Sequence, residues 1–189
     1  MMKVNGEFGE EIPHRRRFSD GMLDNDRILG ELDLRPGQVV ADVGCGNGYM
    51  SMLFSRAVGP TGRVYALDLC IDVFLATFPD TVPANVEALQ CDFTERSPLE
   101  DGSVDLVFMS TVIHSLKRDR MPGLAAELRR VIRPGGMFAA VELAKRETGF
   151  GPPIWRRYAP EDLRAAFPFT PLGTVPVAEH FYLQTFRVE

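Results

Sequence analysis

The stretch that most constrains this chain is Val39-Val40-Ala41-Asp42-Val43-Gly44-Cys45-Gly46-Asn47-Gly48-Tyr49-Met50-Ser51. Its first half is an apolar run, bounded upstream by the turn residues Arg35-Pro36-Gly37. Such a run reads as a strand buried on both faces. Three alternating glycines follow, then an apolar pattern at helical spacing in Met50, Leu53, Phe54, Ala57 and Val58. A strand passing through a glycine-rich turn into a helix start is a ligand site. Glycines let backbone approach a ligand closely, and the first N–H groups of a helix favour negative charge.

A dinucleotide fingerprint requires Gly-x-Gly-x-x-Gly. Here the third glycine comes one residue early, and Tyr49 stands where the fingerprint needs glycine, obstructing close packing under a pyrophosphate. Asp42, just before the loop, would repel a diphosphate and attract an ammonium. The pattern Asp42-x-Gly44-x-Gly46-x-Gly48 resembles the first motif of the class I S-adenosylmethionine-dependent methyltransferases. The resemblance implies that the loop, with Asp42, Gly44, Cys45 and Gly46, wraps the methionine end of that cofactor.

Later strand ends continue the pattern. Arg63 to Asp68 reads as a second buried strand ending in a carboxylate. Asp68 lies about twenty residues past the glycines, a spacing at which a strand-end acid reaches a ribose. It could instead cap the helix beginning near Ile71. The resemblance gives Asp68 the ribose hydroxyls and Leu69 one face of the adenine. Val86 to Cys91 alternates as a third strand, closed by Asp92-Phe93. The family relation implies that Asp92 accepts from the adenine amine and that Phe93 offers its backbone N–H. An ordinary strand-to-loop cap is the competing reading of that pair.

Val104 to Met109 is the fourth strand, followed by Ser110-Thr111-Val112-Ile113-His114-Ser115-Leu116. In the resembled family this segment lies beside the transferable methyl, with backbone at Ser110 meeting the cofactor amino group. It contains no Asn-Pro-Pro-Tyr and no Pro-Cys, which disfavours amine methylation of nucleobases or glutamine and cytosine carbon chemistry. The strand does not end in an acid, unlike the magnesium-dependent catechol type. His114 is the one histidine of the segment, a residue type suited to proton transfer near neutral pH, and is the candidate general base; a hydrogen-bonded structural histidine is the alternative.

The remaining segments read as follows. Residues 1–34 are an irregular arm, with the basic cluster His14-Arg15-Arg16-Arg17-Phe18, and a cap helix beginning at Asp20 or Asp24. The helix from Ile71 breaks at Pro79. From about Asp119 a helix buries Leu124, Leu128, Val131 and Ile132, and Arg129, Arg130 and Arg133 complement its dipole. Arg133-Pro134-Gly135-Gly136 then turns into a fifth strand, Met137 to Leu143. The stretch 144–159 carries Phe150, Trp155 and Tyr158 as exposed-looking aromatics. It is too long for an ordinary connection, so it is either a loop over the methyl site or an arm packed on the sheet. A short helix from Pro160 and strands from Thr170 and Phe181 complete the chain. The expected fold is a doubly wound, Rossmann-like α/β domain over 35–189. Its seven-stranded sheet would be mostly parallel, with the last strand antiparallel and helices on both faces.

Composition narrows the partners. The 189 residues carry 21 basic and 26 acidic side chains, a formal charge of −5. That balance disfavours nucleic acid, whose binding rests largely on phosphate neutralisation. No apolar stretch approaches a membrane span, and Met1 to Glu11 lacks a signal-type apolar core. Three cysteines without paired spacing point to reduced thiols in a cytoplasm and cannot form a Cys-rich metal site. The expectation is a cytoplasmic S-adenosylmethionine-dependent methyltransferase without a metal, acting on a small-molecule acceptor. The alternatives are a non-catalytic binding protein on the same fold and an NAD-dependent oxidoreductase. Acceptor and oligomeric state are not legible in the sequence.

Overall fold

The structure is a computed structural model, and it describes residues 21–78 and 82–189. The basic cluster at 14–18 and the break at Pro79 lie outside the described residues. The element order is α1 (Asn25–Leu32), β1 (Val39–Val43), α2 (Tyr49–Val58), β2 (Arg63–Asp68), α3 (Asp72–Thr77), β3 (Val86–Gln90) and β4 (Val104–Ser110). It continues with α4 (Met121–Val131), β5 (Ile132–Leu143), α5 (Pro160–Ala166), β6 (Thr170–Pro176) and β7 (Phe181–Arg187).

The strands form a seven-stranded sheet in the order β3-β2-β1-β4-β5-β7-β6. β1 to β5 run parallel, and β7 is antiparallel to both neighbours, β5 and β6. Chain order reverses between β1 and β4, the switch point where open α/β sheets bind ligands beyond their carboxyl ends. Both faces of the sheet are covered. One core packs Ile28 and Leu32 of α1, Phe54 and Val58 of α2, and Phe74 of α3 against Val40, Val64, Ala66 and Phe108. The other packs Leu124, Leu128 and Val131 of α4 and Leu163 of α5 against Ala41, Val107, Phe138 and Phe186. Alternate residues of β1 go to opposite cores, as the period of two requires.

The sheet edge is made unsticky by sequence. β6 is almost wholly exposed and holds Pro171, Gly173 and Pro176. Prolines and glycine in an edge strand oppose pairing with a further chain. Asp24 caps α1, its carboxylate accepting from Arg27 N–H at 2.9 Å and its own N–H donating to the Val177 carbonyl just beyond β6.

Two expectations need correction near α4. The fifth strand begins at Ile132, which pairs with Val104, and not at Met137. The register shifts before Met137 pairs with Leu106, so Pro134-Gly135-Gly136 is a bulge inside the strand, with Gly135 at φ 79°. The three arginines also do more than face a dipole. Arg130 binds Glu127, Asp101 and the carbonyls of Ser97 and Leu99. Arg129 donates to the Pro168 carbonyl, and Arg133, in β5, pairs with Asp105 at 2.6 Å. Long guanidinium side chains reach fixed acceptors beyond their own helix, which helical position alone does not reveal.

The stretch 144–159 is an arm with a buried foot. Arg157, 3% exposed, donates to the carbonyls of Pro152, Ala144, Arg146 and Phe150. Tyr158 is buried, and its carbonyl accepts from the Tyr182 hydroxyl at 2.7 Å. Phe150 is half-buried against Phe181. Of the three aromatics expected to be exposed, Trp155 alone is. The arm wraps its own basic residue because four inward-turned carbonyls need donors once removed from water.

Candidate cofactor site

The strand tips on both sides of the switch point enclose a cavity of about 260 Å³. β1 contributes Val43 and Gly44, β2 contributes Leu67 and Asp68 with Leu69 beyond it, and Cys91, Asp92, Phe93 and Thr94 follow β3. The far wall is Met109 of β4 with Thr111, Val112, Ser115 and Leu116, and Leu124 of α4 closes it.

Gly44 is required where β1 meets that wall. It has φ +72°, and a Cβ placed on it would lie 2.3 Å from Val112 Cγ2. Gly48, the N-cap of α2 at φ 77°, is equally constrained: a Cβ there would lie 2.5 Å from the Phe74 ring. Gly48 therefore provides the close approach of the loop, while Tyr49 turns outward and is 55% exposed. A tyrosine at that place does not obstruct packing, contrary to the expectation from its bulk.

Asp68 stands at the centre of the site. Its Oδ2 accepts from Gly46 N–H and its Oδ1 from Cys70 N–H, both at 2.9 Å. The capping reading and a ligand role are compatible. A carboxylate has about four lone-pair sites, and two of Asp68's are used by these bonds. Asp92 has a similar local duty, its Oδ1 accepting from the Thr94 N–H at 2.9 Å and hydroxyl at 2.6 Å. Leu69 at the rim is 61% exposed, an apolar surface left for a flat partner. Cys91 is held as a thiol: burial, then the charges of Asp92, Glu127 and Asp68, push its pKa up to about 11.

Other residues singled out by sequence lie around the cavity without lining it. Asp42 is buried, its Oδ2 accepting from Ser51 Oγ at 2.6 Å. Cys45 is buried in the α2-side core, its N–H donating to the Leu67 carbonyl. Ser110 is buried at the end of β4, its carbonyl accepting from Thr111 Oγ1. His114 sits behind the wall, its Nδ1 2.9 Å from Glu142 Oε2. Glu142 was missed by sequence reasoning, although an acid inside Phe138-Ala139-Ala140-Val141-Glu142-Leu143 is a visible signal. A charge in a buried strand needs partners. Thr111 was missed as well; it has φ 57°, rare for a β-branched residue, and nothing in the sequence signals that.

The site has a consistent electrostatic character. Among the described residues, two carboxylates line the cavity and no Lys or Arg does. Such a lining suits hydroxyl and amine donors and a positive centre, and it opposes the phosphates of a dinucleotide. Glycine where a Cβ cannot fit, spare acceptor capacity on Asp68 and the exposed face of Leu69 together fit an adenosine.

A methyltransferase-domain family model matches residues 40–136. The demethylmenaquinone methyltransferase of Staphylococcus aureus is 32% identical over 120 residues, covering 63% of this chain and 48% of that protein. Curated relatives of this kind are long, and the chain spans less than half the length of the first of them. A structure of an S-adenosylmethionine-dependent methyltransferase from Aquifex aeolicus aligns with a TM-score of 0.79 and 27% identity, covering 89% of this chain and 91% of that one. The Burkholderia thailandensis 1,6-didemethyltoxoflavin N1-methyltransferase, solved with S-adenosylhomocysteine, shares the fold at a TM-score of 0.66 and 24% identity over 87% of this chain and 76% of that one. With more than half its length inside the family model and its fold matched over 89% of the chain by the Aquifex aeolicus S-adenosylmethionine-dependent methyltransferase, the chain belongs to the methyltransferase-domain family of the class I S-adenosylmethionine-dependent superfamily.

Proposed function

We propose that this protein transfers a methyl group from S-adenosylmethionine to a small-molecule acceptor. The observation that carries the reading is the cavity at the switch point, where Gly44, Asp68, Leu69, Asp92 and Phe93 meet and where, among the described residues, acids alone supply charge. Asp68 would take the ribose hydroxyls with the lone pairs its backbone bonds leave over. Leu69 and Phe93 would hold the adenine, and Asp92 its amine. The glycine loop from Gly44 to Gly48, backed by Asp42 and Cys45, and the backbone at Ser110 would receive the amino-acid end. The cavity falls just below the roughly 300–1,000 Å³ of small-molecule sites, a size suited to the nucleoside, with the tail along the loop.

The bound cofactor supplies an electrophilic methyl whose leaving group is a neutral thioether, so departure needs no acid. The protein's contribution is alignment and exclusion of water. A base is needed only where the acceptor carries a proton that must leave, and His114 is the candidate. The named activity of the S. aureus relative supports a small-molecule acceptor. Cys45, Cys70 and Cys91 are not joined in disulfides, which supports a reducing, cytoplasmic setting. Among the described residues, no helix is long and apolar enough to cross a membrane.

Calorimetry with S-adenosylhomocysteine and, separately, NADH tests the reading. Binding of the first and not the second is expected; a well-folded protein that takes up neither, or only NADH, overturns it.

A further inference from the structure

The wall formed by residues 111–116 is held from behind by one side chain. Glu142 lies in β5, 1% exposed, next to Val141, whose carbonyl accepts from Thr111 N–H at 2.8 Å. Its Oε1 accepts from Ile113 N–H at 2.8 Å and its Oε2 meets His114 Nδ1 at 2.9 Å. Both carboxylate oxygens are thus spent on the two residues between Val112 and Ser115, which line the cavity. The same segment contains Thr111 in the left-handed region, at φ 57°. Strained backbone persists only where its surroundings hold it, and a buried carboxylate is an expensive way to hold a turn unless its position matters.

We infer that Glu142 is the positioning residue of the cofactor site: its carboxylate clamps the 111–116 wall and fixes the tautomer of His114. An ionised carboxylate only accepts, so the imidazole must place its proton on Nδ1, and in the neutral ring the lone pair is then on Nε2. Glutamate is the side chain that serves both donors at once, since a glutamine must donate with one of its two ends. The charged or titratable side chain opposite Glu142 on β7 is Tyr182, its register partner, whose hydroxyl is committed to the Tyr158 carbonyl. Tyr182 is held as a phenol by burial first and by the Glu142 charge second. The catalytic meaning of this tautomer rests on the proposed methyl transfer; the clamp itself does not.

The test uses the full chain, nitrogen-15 imidazole spectra recorded at rising pH until the His114 ring is neutral, and calorimetry with S-adenosylhomocysteine. The His114 signal is identified by its loss in H114Q. The wild type should show the Nδ1–H tautomer. In E142Q the amide oxygen can take Ile113 N–H while the amide nitrogen donates to Nδ1, so the proton should leave Nδ1 and affinity should stay within about threefold. E142A removes both bonds and should weaken S-adenosylhomocysteine about tenfold, as the wall relaxes. An Nε2–H tautomer in the wild type, an Nδ1 proton retained in E142Q, or wild-type affinity in folded E142A overturns the inference. Should E142A not fold, the two tautomer measurements decide. Failure of the wild type to bind S-adenosylhomocysteine would sink the functional reading and leave the tautomer test intact.

Discussion

The carboxylate of Asp68 and the amide of Gly46 are joined by a 2.9 Å hydrogen bond across the tips of β2 and β1. The glycine loop therefore already carries an anion at one of its N–H groups, supplied by the protein. Ligand binding and loop shape share this one side chain. Asp68→Ala should weaken S-adenosylhomocysteine by roughly 1.5–3 kcal/mol, the worth of hydrogen bonds to a charged group. It should also lower the melting temperature, because Gly46 and Cys70 lose their acceptor. Calorimetry and a thermal melt on the same sample separate the two effects, and an unchanged affinity would remove Asp68 from the site.

Gly44 and Val112 meet across the switch point. Gly44→Ala puts a Cβ where Val112 stands and imposes a side chain at φ +72°. The conformational cost alone is about 1 kcal/mol or more, and the overlap with Val112 adds to it. The variant should melt lower and bind S-adenosylhomocysteine at least tenfold more weakly. Adding Val112→Ala should recover part of the melting temperature, since it removes the clash and leaves the backbone cost. No recovery would mean that the two residues do not meet.

Cys91 lines the cavity with its thiol pKa pushed up to about 11, so near neutral pH the nucleophilic thiolate is scarce. Alkylation by iodoacetamide, followed by peptide mass spectrometry, should be slow at Cys91 near pH 7 and rise about tenfold per pH unit up to the thiol pKa. Saturating S-adenosylhomocysteine should slow it further. Fast labelling at neutral pH would contradict the burial described for this residue.

Glu127 and Arg130 form a buried pair at 2.5 Å. Burial alone would raise the Glu127 pKa, but hydrogen bonds from Arg130 and Ser97 hold it below the usual 4.5. The folded state thus binds fewer protons at this site than the unfolded chain. The stabilisation is whole above pH 4.5 and is lost as pH falls through the lower folded value. Glu127→Ala should cost about 2–4 kcal/mol near neutral pH, at or below the usual cost of breaking a buried pair, because Asp101 still faces Arg130. Urea melts of wild type and variant, repeated from neutral to acid pH, should converge in the acid limb. A constant difference would show that the ion pair contributes nothing there.

Much of the architecture was legible because its physics is local. Apolar runs at Val39 and Val104, turn residues between them and helical spacing in α2 and α4 are short-range patterns. They delivered the order of elements and the strand-end acids Asp68 and Asp92. The start of β5 was misread because Pro134-Gly135-Gly136 has the local signature of a turn, and only pairing of Ile132 with Val104 makes it a bulge.

What the sequence by itself determined is the doubly wound sheet, the glycine loop at its switch point and the family these letters resemble. Periodicity, turn chemistry and spacing along one chain are enough for that. Tertiary structure alone decided that Asp68 anchors Gly46, that Gly44 abuts Val112 and that Glu142 stands behind His114. Those contacts join residues 22, 68 and 28 positions apart in the chain. Their identities became partners only when parallel strands brought distant tips to one edge and burial obliged each charge to find a donor.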